Sequence, residues 1–401
     1  MSGLFRQREY LGSHPIKDHY DVVIIGGGGH GLACAYYLAS RHGITNVGVF
    51  EASYIGSGGT GRNTTLIRAN YVAPASVPLY QRSVELYRTL SEELDYNLMV
   101  SRRGLLMLAH SEHTLHNLQE RASINRQFRV KTELVDRDEI QRLCPVLDIE
   151  CGGRPIVGGA YHPRGAAVRH DAVAWAYAAG AHRLGVHIHQ GVPVTDVLVH
   201  NGKCVGIETP HGKVSAGAVH SAVGGYVSTI AKMVGLRLPI ASYPLQAFVT
   251  ESYEPILHRI VTSDDLHFYV SQTSRGELLV GAEIDPYPSY ATRSTWPFLA
   301  SASKRLMDLF PWTAKLRILR QWTGLCDMTP DYSPMMGRTE VENFTLDTGL
   351  GTWGFKLTPV NGLMLAELIA TTRVPELIAP FSVDRFRNDR SVSERKSAGT
   401  H

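Results

Sequence analysis

The sequence offers little that would tie this protein to a disulfide framework, a zinc site or a membrane. It has five cysteines, an odd number, and no two of them have the CxxC spacing, so structural disulfides and a cysteine-bound zinc ion are not expected. The longest apolar region, VVIIGGGGHGLACAYYLA, is broken by glycines and a histidine. It falls short of the roughly 20 apolar residues that span a bilayer, and no membrane span is predicted.

A strong charge bias is absent as well. Lysine and arginine number 40 against 37 acidic residues, which leaves a net charge of +3. No basic stripe carries interleaved aromatic residues, so nucleic-acid binding is not expected. Residues 1–20, MSGLFRQREYLGSHPIKDHY, lack the apolar core of a signal peptide. We predict a cytoplasmic protein with free thiols and no metal site.

The chain opens with a βαβ pattern. Residues 21–25, DVVII, form a short β-branched apolar run. GGGGHG follows, and LACAYYLASRHG has helical composition up to Gly43. NVGVFE then has the character of a second strand, which ends in Glu51. Strand, glycine turn, helix and strand in this order predict a βαβ unit.

Three glycines of this unit have the GxGxxG spacing of a dinucleotide site. Gly26 permits the tight turn, Gly28 lets the backbone approach a pyrophosphate, and Gly31 lets the helix pack on the strand. The helix N-terminus presents free N–H groups and its positive dipole end to the phosphates. Glu51 is placed to hold ribose hydroxyls. This unit does not separate FAD from NAD, but its N-terminal position and the GSGGTGRNTT that follows favour FAD.

The remaining chain alternates helical and strand patterns without an internal repeat or a long linker. Apolar spacing predicts helices over residues 77–94, 111–128, 137–145, 170–185 and 359–372. Strands are predicted at 104–110, at intervals over 186–224, as a hairpin over 267–283 that turns at SRGE, and at 343–351. Because the two kinds of element alternate, we expect an α/β or α+β protein whose domains are interwoven.

Six motifs occur together and in order: DVVIIGGGGHGLACAYYLA, GRNTTLIRANY, RHDAVAW, YPLQAFV, YVSQTSRGELLVGAEID and GFKLTP. With them the sequence resembles the beta subunits of heterotetrameric sarcosine oxidases, within the D-amino-acid-oxidase-like flavoprotein superfamily. The resemblance covers residues 18–385. It implies an FAD-binding Rossmann-like domain (18–100, 168–238 and 330–385) interleaved with a β-sheet substrate domain (101–167 and 239–329), with tails at 1–17 and 386–401.

The resemblance also implies two flavins and three partner subunits. In this family a noncovalent FAD oxidises a secondary amino acid, and a covalent FMN takes the electrons and passes them to oxygen or another acceptor. The partners are the alpha, gamma and delta subunits of a heterotetramer. From the residues alone, His170 in RGAAVRHDAVAW would begin or pack a helix. The resemblance makes it the attachment point of FMN, with Arg169 as a candidate contact for the FMN phosphate.

The matching motifs assign a set of residues to the FAD site. The position where monomeric relatives tether FAD through a cysteine falls on Gly324, so a noncovalent FAD is implied. The lysine that those relatives use for oxygen activation aligns with Leu279, which disfavours oxygen chemistry at FAD. The FAD residues implied by the resemblance are Gly26, Gly28, Gly29, His30, Gly31, Glu51, Arg62, Asn63, Thr64, Thr65, Val194, Gly351, Gly354, Phe355 and Lys356.

Arg68 and Lys356 are the candidate substrate residues. In related amine oxidases the matching cations hold the substrate carboxylate, an arginine by a bidentate fork and a lysine as a point charge. Tyr269 matches a substrate-side tyrosine only loosely, and a tyrosine that packs in a sheet is the alternative. Thr358 is a predicted N-cap and Pro359 a predicted first residue of the last helix, whose positive end would face the flavin.

Several positions depart from the family pattern. The turn that usually has the sequence GTGGFKGTPGAG is GTWGFKLTPVNG here. Bulky residues therefore replace small ones at Trp353, Leu357, Val360 and Asn361. Glu283 stands where a small residue is usual, and it would either face the pocket or lie in a solvated loop. These changes bear on the identity of the substrate, sarcosine or another amine, more than on amine oxidation itself.

The sequence is compatible with three functions. The first is a catalytic subunit that oxidises sarcosine or a neighbouring substrate such as proline, hydroxyproline, N-methylglutamate or an opine. The second is a flavin-bearing electron-transfer or scaffold subunit with an inactive substrate site, which intact Arg68 and Lys356 disfavour. The third is an NAD-dependent Rossmann enzyme, which leaves RNTT and RHDAVAW unexplained.

Overall fold

The structure is a computed structural model that describes residues 11–12 and 14–397. Its α-helices are α1 (Gly29–His42), α2 (Ser76–Glu93), α3 (Glu112–Gln127), α4 (Arg137–Leu143), α5 (His170–Arg183), α6 (Val227–Met233), α7 (Trp296–Leu309) and α8 (Gly354–Thr371). Its strands are β1 (His19–Ile25), β2 (Val47–Glu51), β3 (Leu66–Ile67), β4 (Ser101–Arg102), β5 (Leu105–Ala109), β6 (Glu133–Val135), β7 (Gly158–His162), β8 (Ala166–Ala167), β9 (His187–Gln190), β10 (Asp196–His200), β11 (Lys203–Thr209), β12 (Gly212–Ser221), β13 (Ala241–Ser252), β14 (Ile260–Ser263), β15 (Phe268–Gln272), β16 (Glu277–Ile284), β17 (Ile318–Met328), β18 (Met335–Arg338) and β19 (Phe344–Thr348).

The first sheet is built around the predicted βαβ unit. Strand β1 pairs in parallel with β12 on one side and with β2 on the other. Strand β9 pairs in parallel with β2, and β19 pairs in parallel with β12. Parallel strands are covered on both faces, which explains the continuous apolar run of β1. Helices α1, α5 and α8 pack together on one face, and a Cβ added at Gly362 of α8 would lie 2.4 Å from the Cβ of Ala33. The glycine therefore lets α8 approach α1 closely.

The second sheet has the order β17-β13-β16-β15-β14-β5-β7-β6. Its neighbours are antiparallel except for the pair of β5 and β14. Helices α4 and α7 cover one of its faces with buried side chains that include Ile140, Phe298 and Leu306. A separate cluster joins β5 to Leu118 of α3.

The two sheets draw on alternating stretches of the chain. The first takes strands from residues 19–51, 187–221 and 335–348, and the second from 105–162 and 241–328. A small antiparallel sheet, β3-β8-β4, lies between these stretches in the chain. The predicted interleaved α/β architecture is therefore confirmed, while the domain boundaries themselves stay a prediction. Within the described residues no helix combines the length and apolar composition that crossing a membrane requires.

The prediction for the start of the last helix was wrong. Helix α8 begins at Gly354, so Thr358 is not its N-cap and Pro359 lies inside it. Proline lacks the N–H that would bond to the carbonyl four residues earlier. That carbonyl, of Phe355, instead accepts a 2.8 Å hydrogen bond from the Tyr87 hydroxyl of α2. A side chain from another helix therefore satisfies the group that the proline leaves free.

Residues 386–397, assigned above to a tail, pack onto the body of the protein. Just before this segment, buried Arg385 pairs with Asp331 through two contacts of 2.9 Å. Glu394 is also buried, and its carboxylate accepts hydrogen bonds from the backbone N–H groups of Val72 and Ala73. The C-terminal segment thereby reaches the stretch after β3 that includes Arg68. Of the two predicted tails, residues 1–10, 13 and 398–401 lie outside the described residues.

Candidate active site

A cavity of about 590 Å³ lies where both sheets meet the N-terminal ends of α1 and α8. Its wall includes Ile25 at the end of β1 and Ala222 just after β12. These are the carboxyl ends of parallel strands, the edge at which open α/β sheets bind ligands. Residues from β15 and β17 of the second sheet close the opposite side.

The glycine turn after β1 brings backbone to the cavity wall. Gly26 has a φ of +111°, and a Cβ there would lie 2.5 Å from the Ala222 carbonyl oxygen. Gly28 is the N-cap of α1 and has no side chain that could bond the first N–H groups of the helix. One of these, the N–H of Gly29, donates to the Thr60 hydroxyl at 3.0 Å. The helix N-terminus thus faces the cavity, a suitable place for phosphate.

Glu51 is held rigidly at the end of β2. Its Oε2 accepts from the Gly27 N–H at 2.8 Å, and its Oε1 accepts from the Ser53 N–H at 2.9 Å and the Ser57 hydroxyl at 3.1 Å. The residue is buried and borders the cavity, as does Val194. This is the position of the ribose-binding acid in a dinucleotide fold.

The structure brings most of the predicted FAD residues together. Gly31 and Thr65 are the exceptions. Gly31 lies beneath the turn, where a Cβ would approach the Gly26 carbonyl oxygen to 2.1 Å, so it serves helix packing. Thr65 has a φ of +70°, and its N–H donates to the Asn63 side chain at 2.6 Å in a local turn. The predicted residues that border the cavity are Gly26, Gly28, Gly29, His30, Glu51, Arg62, Asn63, Thr64, Val194, Gly351, Gly354, Phe355 and Lys356.

His30 links the two helices that point at the cavity. Its Nε2 donates to the Gly354 carbonyl at the start of α8 (2.9 Å), and its Nδ1 lies 2.7 Å from Asp347 Oδ2. A carbonyl only accepts, so Nε2 carries a proton, and the carboxylate calls for a second proton on Nδ1. Burial lowers the pKa of His30, but the charge and hydrogen bond of Asp347 outweigh burial and raise it. Both ring nitrogens therefore lie where they can donate, and the raised pKa favours the imidazolium form.

Arg68 and Lys356 lie at the same end of the cavity. Lys356, in the first turn of α8, is buried, and its Nζ is 3.5 Å from the Thr352 carbonyl oxygen. Burial, followed by the positive charge of Arg68, holds the pKa of Lys356 well below its ordinary value. The two predicted substrate residues therefore face one space, and an anion bound there would favour the ammonium form of Lys356.

Aromatic rings fix the plane of the Arg68 guanidinium. The guanidinium lies over the Tyr71 ring, 4.4 Å from its centroid, and Tyr71 stacks on Tyr80 at 3.7 Å. Trp353 meets Tyr71 edge-on at 6.0 Å. Nη1 of Arg68 donates to the Asn70 carbonyl and side chain, both at 3.2 Å. The other amino group donates to the backbone carbonyl of the C-terminal segment at position 397, at 3.3 Å.

Tyr269 borders the cavity from β15 and also packs in the sheet. A Cβ added at Gly281 of the neighbouring strand would lie 2.1 Å from the Tyr269 hydroxyl, so the ring lies directly over that glycine. Burial raises the pKa of Tyr269 to about 12, against the smaller lowering effect of a hydrogen bond with Thr64. Tyr269 therefore packs in the sheet, and its role as a substrate-side tyrosine stays a prediction.

Sequence reasoning missed Arg121, which borders the cavity from α3. This side chain is 2% exposed. Its Nη1 lies 3.0 Å from Met107 Sδ, and its Nη2 donates to the Lys396 carbonyl at 2.9 Å. The nearest carboxylate is that of Asp264, at 3.8 Å. One signal was present, since Arg121 follows Thr114 and Leu118 on the buried face of the helix.

Comparison with known proteins identifies the group to which this chain belongs. The family described as FAD dependent oxidoreductase matches residues 21–368. The sarcosine oxidase subunit beta of Rhizobium meliloti is 43% identical over 379 residues, which cover 94% of this chain and 91% of that protein. The chain belongs to the sarcosine oxidase beta-subunit family. A second member, from Rhodobacter capsulatus, is 40% identical and aligns over 96% of this chain and 92% of its own length.

Solved structures agree with the fold of this sarcosine oxidase beta-subunit family member. L-proline dehydrogenase from P. horikoshii superposes with a TM-score of 0.87 at 28% identity, covering 93% of this chain and 99% of that one. Glycine oxidase from Geobacillus kaustophilus gives a TM-score of 0.84 at 24% identity over 92% of this chain and 99% of that one. The predicted resemblance and the D-amino-acid-oxidase-like fold are therefore confirmed.

The cavity fits the FAD on which the family depends. The open N-terminus of α1 suits the pyrophosphate, and Glu51 suits a ribose. The first turn of α8 borders the other end of the cavity with its backbone N–H groups. These two helix ends would hold the cofactor by their positive charge, the start of α1 at the phosphates and the start of α8 at the ring system that accepts electrons.

The departures from the sarcosine oxidase beta-subunit pattern separate into two groups. Trp353 borders the cavity, but Leu357, Val360 and Asn361 are buried elsewhere in α8. Glu283 neither faces the cavity nor lies in a loop, because it belongs to β16 and pairs with Arg305 of α7. Both interpretations of Glu283 were wrong because its partner is remote in sequence.

His170 lies outside the cavity. It is the first residue of α5, its side chain is 28% exposed, and its Nδ1 is buried without a hydrogen-bond partner. Burial lowers the pKa of His170, so the ring is neutral near pH 7. Arg169 beside it forms a two-pronged contact with Asp171, at 2.7 and 3.0 Å.

Proposed function

We propose that this chain is the catalytic beta subunit of a flavoenzyme that oxidises sarcosine or a related secondary amino acid. The observation that carries the proposal is the meeting of Arg68 and Lys356 at one end of the cavity that the FAD residues border. FAD, when bound, accepts a hydride from the carbon next to the substrate nitrogen. The rest of the chemistry belongs to side chains of this chain.

Arg68 and Lys356 would bind the substrate carboxylate. Arg68 offers a planar fork, held flat over Tyr71, and Lys356 adds a point charge from the first turn of α8. A carboxylate would replace the backbone carbonyl at position 397 as the acceptor of one Arg68 amino group. A charged acceptor binds more strongly than a neutral carbonyl, so the exchange favours substrate.

The same cations would keep the substrate nitrogen neutral. Arg68, Lys356 and Arg121 border one cavity, and their positive charges disfavour an ammonium form beside them. A neutral amine has the lone pair that hydride loss from the neighbouring carbon requires. No side chain then needs to act as a strong base.

Positive charge near the N-terminus of α8 would favour an electron-rich cofactor. The helix presents its dipole end to the cavity, and the His30 imidazolium binds the first carbonyl of that helix. Cys326 also borders the cavity, but burial raises the pKa of its thiol to about 12. An un-ionised thiol is a poor nucleophile, and Gly324 has no side chain, which together support a noncovalent FAD.

We further propose that His170 carries a covalent FMN and that alpha, gamma and delta subunits are the partners. Electrons would pass from FAD to FMN and then to oxygen or another acceptor. A neutral, partly exposed ring at the start of α5 supports an attachment point. The N–H of Val168 donates to the Thr65 carbonyl at 3.1 Å, so the start of α5 is tied to the segment that borders the FAD cavity. Arg169 would reach a phosphate only by exchanging its contact with Asp171.

A secondary amino acid with a second carboxylate, such as N-methylglutamate or an opine, is the second candidate substrate. Arg121 favours it, because this buried guanidinium borders the same cavity and its Nε has no hydrogen-bond partner. The nearby Asp264 would oppose a second carboxylate, and for that reason sarcosine stays first.

Anaerobic reduction of the purified complex tests the proposal. Sarcosine, proline, hydroxyproline, N-methylglutamate and an opine are added in turn, and the loss of visible flavin absorption is recorded. We expect sarcosine to bleach the flavin. Arg68→Lys should raise the sarcosine concentration needed for half-maximal bleaching by about tenfold or more, because lysine keeps the positive charge but cannot bind a carboxylate through two parallel hydrogen bonds. Bleaching by none of these amines would favour a scaffold subunit, and NAD in place of flavin would refute the FAD assignment.

A further inference from the structure

A second cavity, of about 200 Å³, lies behind the segment that runs from β3 to Arg68 and Ala69. Ile67 and Ala69 border this cavity, whereas Leu66 and Arg68 border the first one. Side chains of an extended segment alternate between its two faces, so a single stretch of backbone separates the two cavities. Val84, Tyr87 and Val130 complete an apolar floor.

Arginines surround the mouth of this second cavity. Arg88, Arg102, Arg129 and Arg164 all border it, and all four are exposed. Within residues 14–397, none of the four forms an ion pair with a carboxylate. The acidic residue of the wall, Glu85, lies 3.5 Å from Arg82. Four arginines against one glutamate leave the cavity lining with an excess of positive charge.

A buried histidine supplies a second, independent feature. His162 is 1% exposed and borders the cavity, and its Nδ1 donates to the Lys131 carbonyl at 2.7 Å. Its Nε2 is buried without any hydrogen-bond partner. Burial lowers the pKa of His162 to about 4, so the ring is neutral and Nε2 is a lone pair that needs a donor. An unsatisfied buried acceptor costs free energy.

We propose that this second cavity, enclosed by Arg88, Arg102, Arg129, Arg164 and His162, binds a compact anion that also bears an O–H group. The arginines bind the negative charge, and a shift of the side chains that cover His162 Nε2 lets its lone pair accept the hydrogen bond of the hydroxyl. Phosphate monoanions and dianions and hydroxy acids have this chemistry. The site is separate from the FAD cavity, and the Tyr87 that borders it also holds the first turn of α8.

Titration with phosphate and with sulfate separates the contribution of the arginines from that of the His162 lone pair. Near neutral pH phosphate still carries an O–H group and sulfate does not, although both are small tetrahedral oxyanions. Calorimetric titration of the purified, flavin-loaded complex should show saturable binding of both, with phosphate about fivefold tighter, as expected for one net hydrogen bond. Equal affinities would overturn the role of His162.

Variants locate the binding. Arg102→Gln with Arg164→Gln should weaken both anions about fivefold, since exposed charge contacts contribute little each. Arg237→Gln, at an exposed arginine outside the cavity, changes the net charge by one and should leave the affinities unchanged. His162→Phe should bring phosphate to the affinity of sulfate. If that variant does not fold, the wild-type preference and the double arginine variant still test the site.

Three results would contradict the proposal. Strict competition between phosphate and sarcosine, with no effect of the double arginine variant, would assign the anion to Arg68 in the first cavity. Loss of companion subunits from the double arginine variant, with no anion binding in the wild type, would make the arginines a protein-docking surface instead. Unchanged binding in every variant would exclude this cavity as an anion site.

Discussion

His30 and Asp347 form a buried pair that joins the starts of two helices. The contact of 2.7 Å places the imidazolium of α1 beside a carboxylate at the end of β19, and the other ring nitrogen holds the Gly354 carbonyl of α8. Asn361 donates to the second carboxylate oxygen at 2.9 Å. The glycine turn and the first turn of α8 are thus positioned through one side chain.

Replacement of His30 by glutamine tests this relationship. The variant leaves Asp347 buried with a neutral partner, and breaking a buried pair from one side costs about 3–5 kcal/mol. We expect a lower free energy of unfolding and weaker retention of FAD, measured by chemical denaturation and by flavin release. His30→Gln combined with Asp347→Asn should recover part of the loss, because it removes the unpaired charge as well. If His30→Gln alone is as stable as the wild type, the pairing of His30 with Asp347 is contradicted.

The same pair predicts a pH dependence. The pKa of His30 is raised by Asp347 despite burial, so its stabilisation is complete below the unfolded value of about 6.5 and is lost as pH rises through the folded value. The pKa of Asp347 is lowered by His30 despite burial, so its stabilisation is present above about 3.9 and lost as pH falls through the folded value. The difference in melting temperature between wild type and His30→Gln should therefore shrink at high pH. A constant difference would argue against an imidazolium.

Tyr87→Phe tests the proline inside α8. The change removes the hydroxyl that donates to the Phe355 carbonyl, and Pro359 has no N–H to replace it. A buried acceptor without a partner costs about 1–3 kcal/mol, measurable as a shift in the denaturation midpoint. Tyr37→Phe is the control, because the Tyr37 hydroxyl contacts another hydroxyl at 3.4 Å and should cost less. Equal effects would show that the Phe355 carbonyl finds another donor.

Gly281→Ala tests how Tyr269 is placed. The added methyl group would lie 2.1 Å from the Tyr269 hydroxyl and would push the ring out of its position over the strand. Overpacking of this kind costs about 1–3 kcal/mol, and the displaced ring should also raise KM for the amine substrate. Tyr269→Phe keeps the ring and removes only its hydrogen bond, so its effect should be smaller. If Tyr269→Phe instead raises KM more than Gly281→Ala does, the Tyr269 hydroxyl contacts the substrate directly.

His170→Ala tests the second flavin. The variant should lose the flavin that stays with acid-precipitated protein and should keep an extractable FAD that substrate still reduces. His182→Ala, on the same helix, is the matched control and should keep both flavins. Persistence of the acid-stable flavin in His170→Ala would refute the assignment.

Local signals determined much of this protein. The βαβ unit, Glu51 and the hairpin of β15 and β16 could be predicted because each depends on neighbouring residues. Strand alternation, helical spacing and glycine requirements act over a few residues, and they are visible without the fold. Motif resemblance likewise identified Arg68 and Lys356, which then proved to border one cavity.

Only the tertiary structure decided the features that depend on distant partners. Helix α8 continues through Pro359 because Tyr87 satisfies the freed carbonyl, and Glu283 turns to Arg305 instead of the cavity. Arg121 reaches the cavity because α3 packs on the second sheet. Hydrogen bonds and ion pairs between residues far apart in the chain leave no periodic trace in the sequence, so local patterns could not predict them.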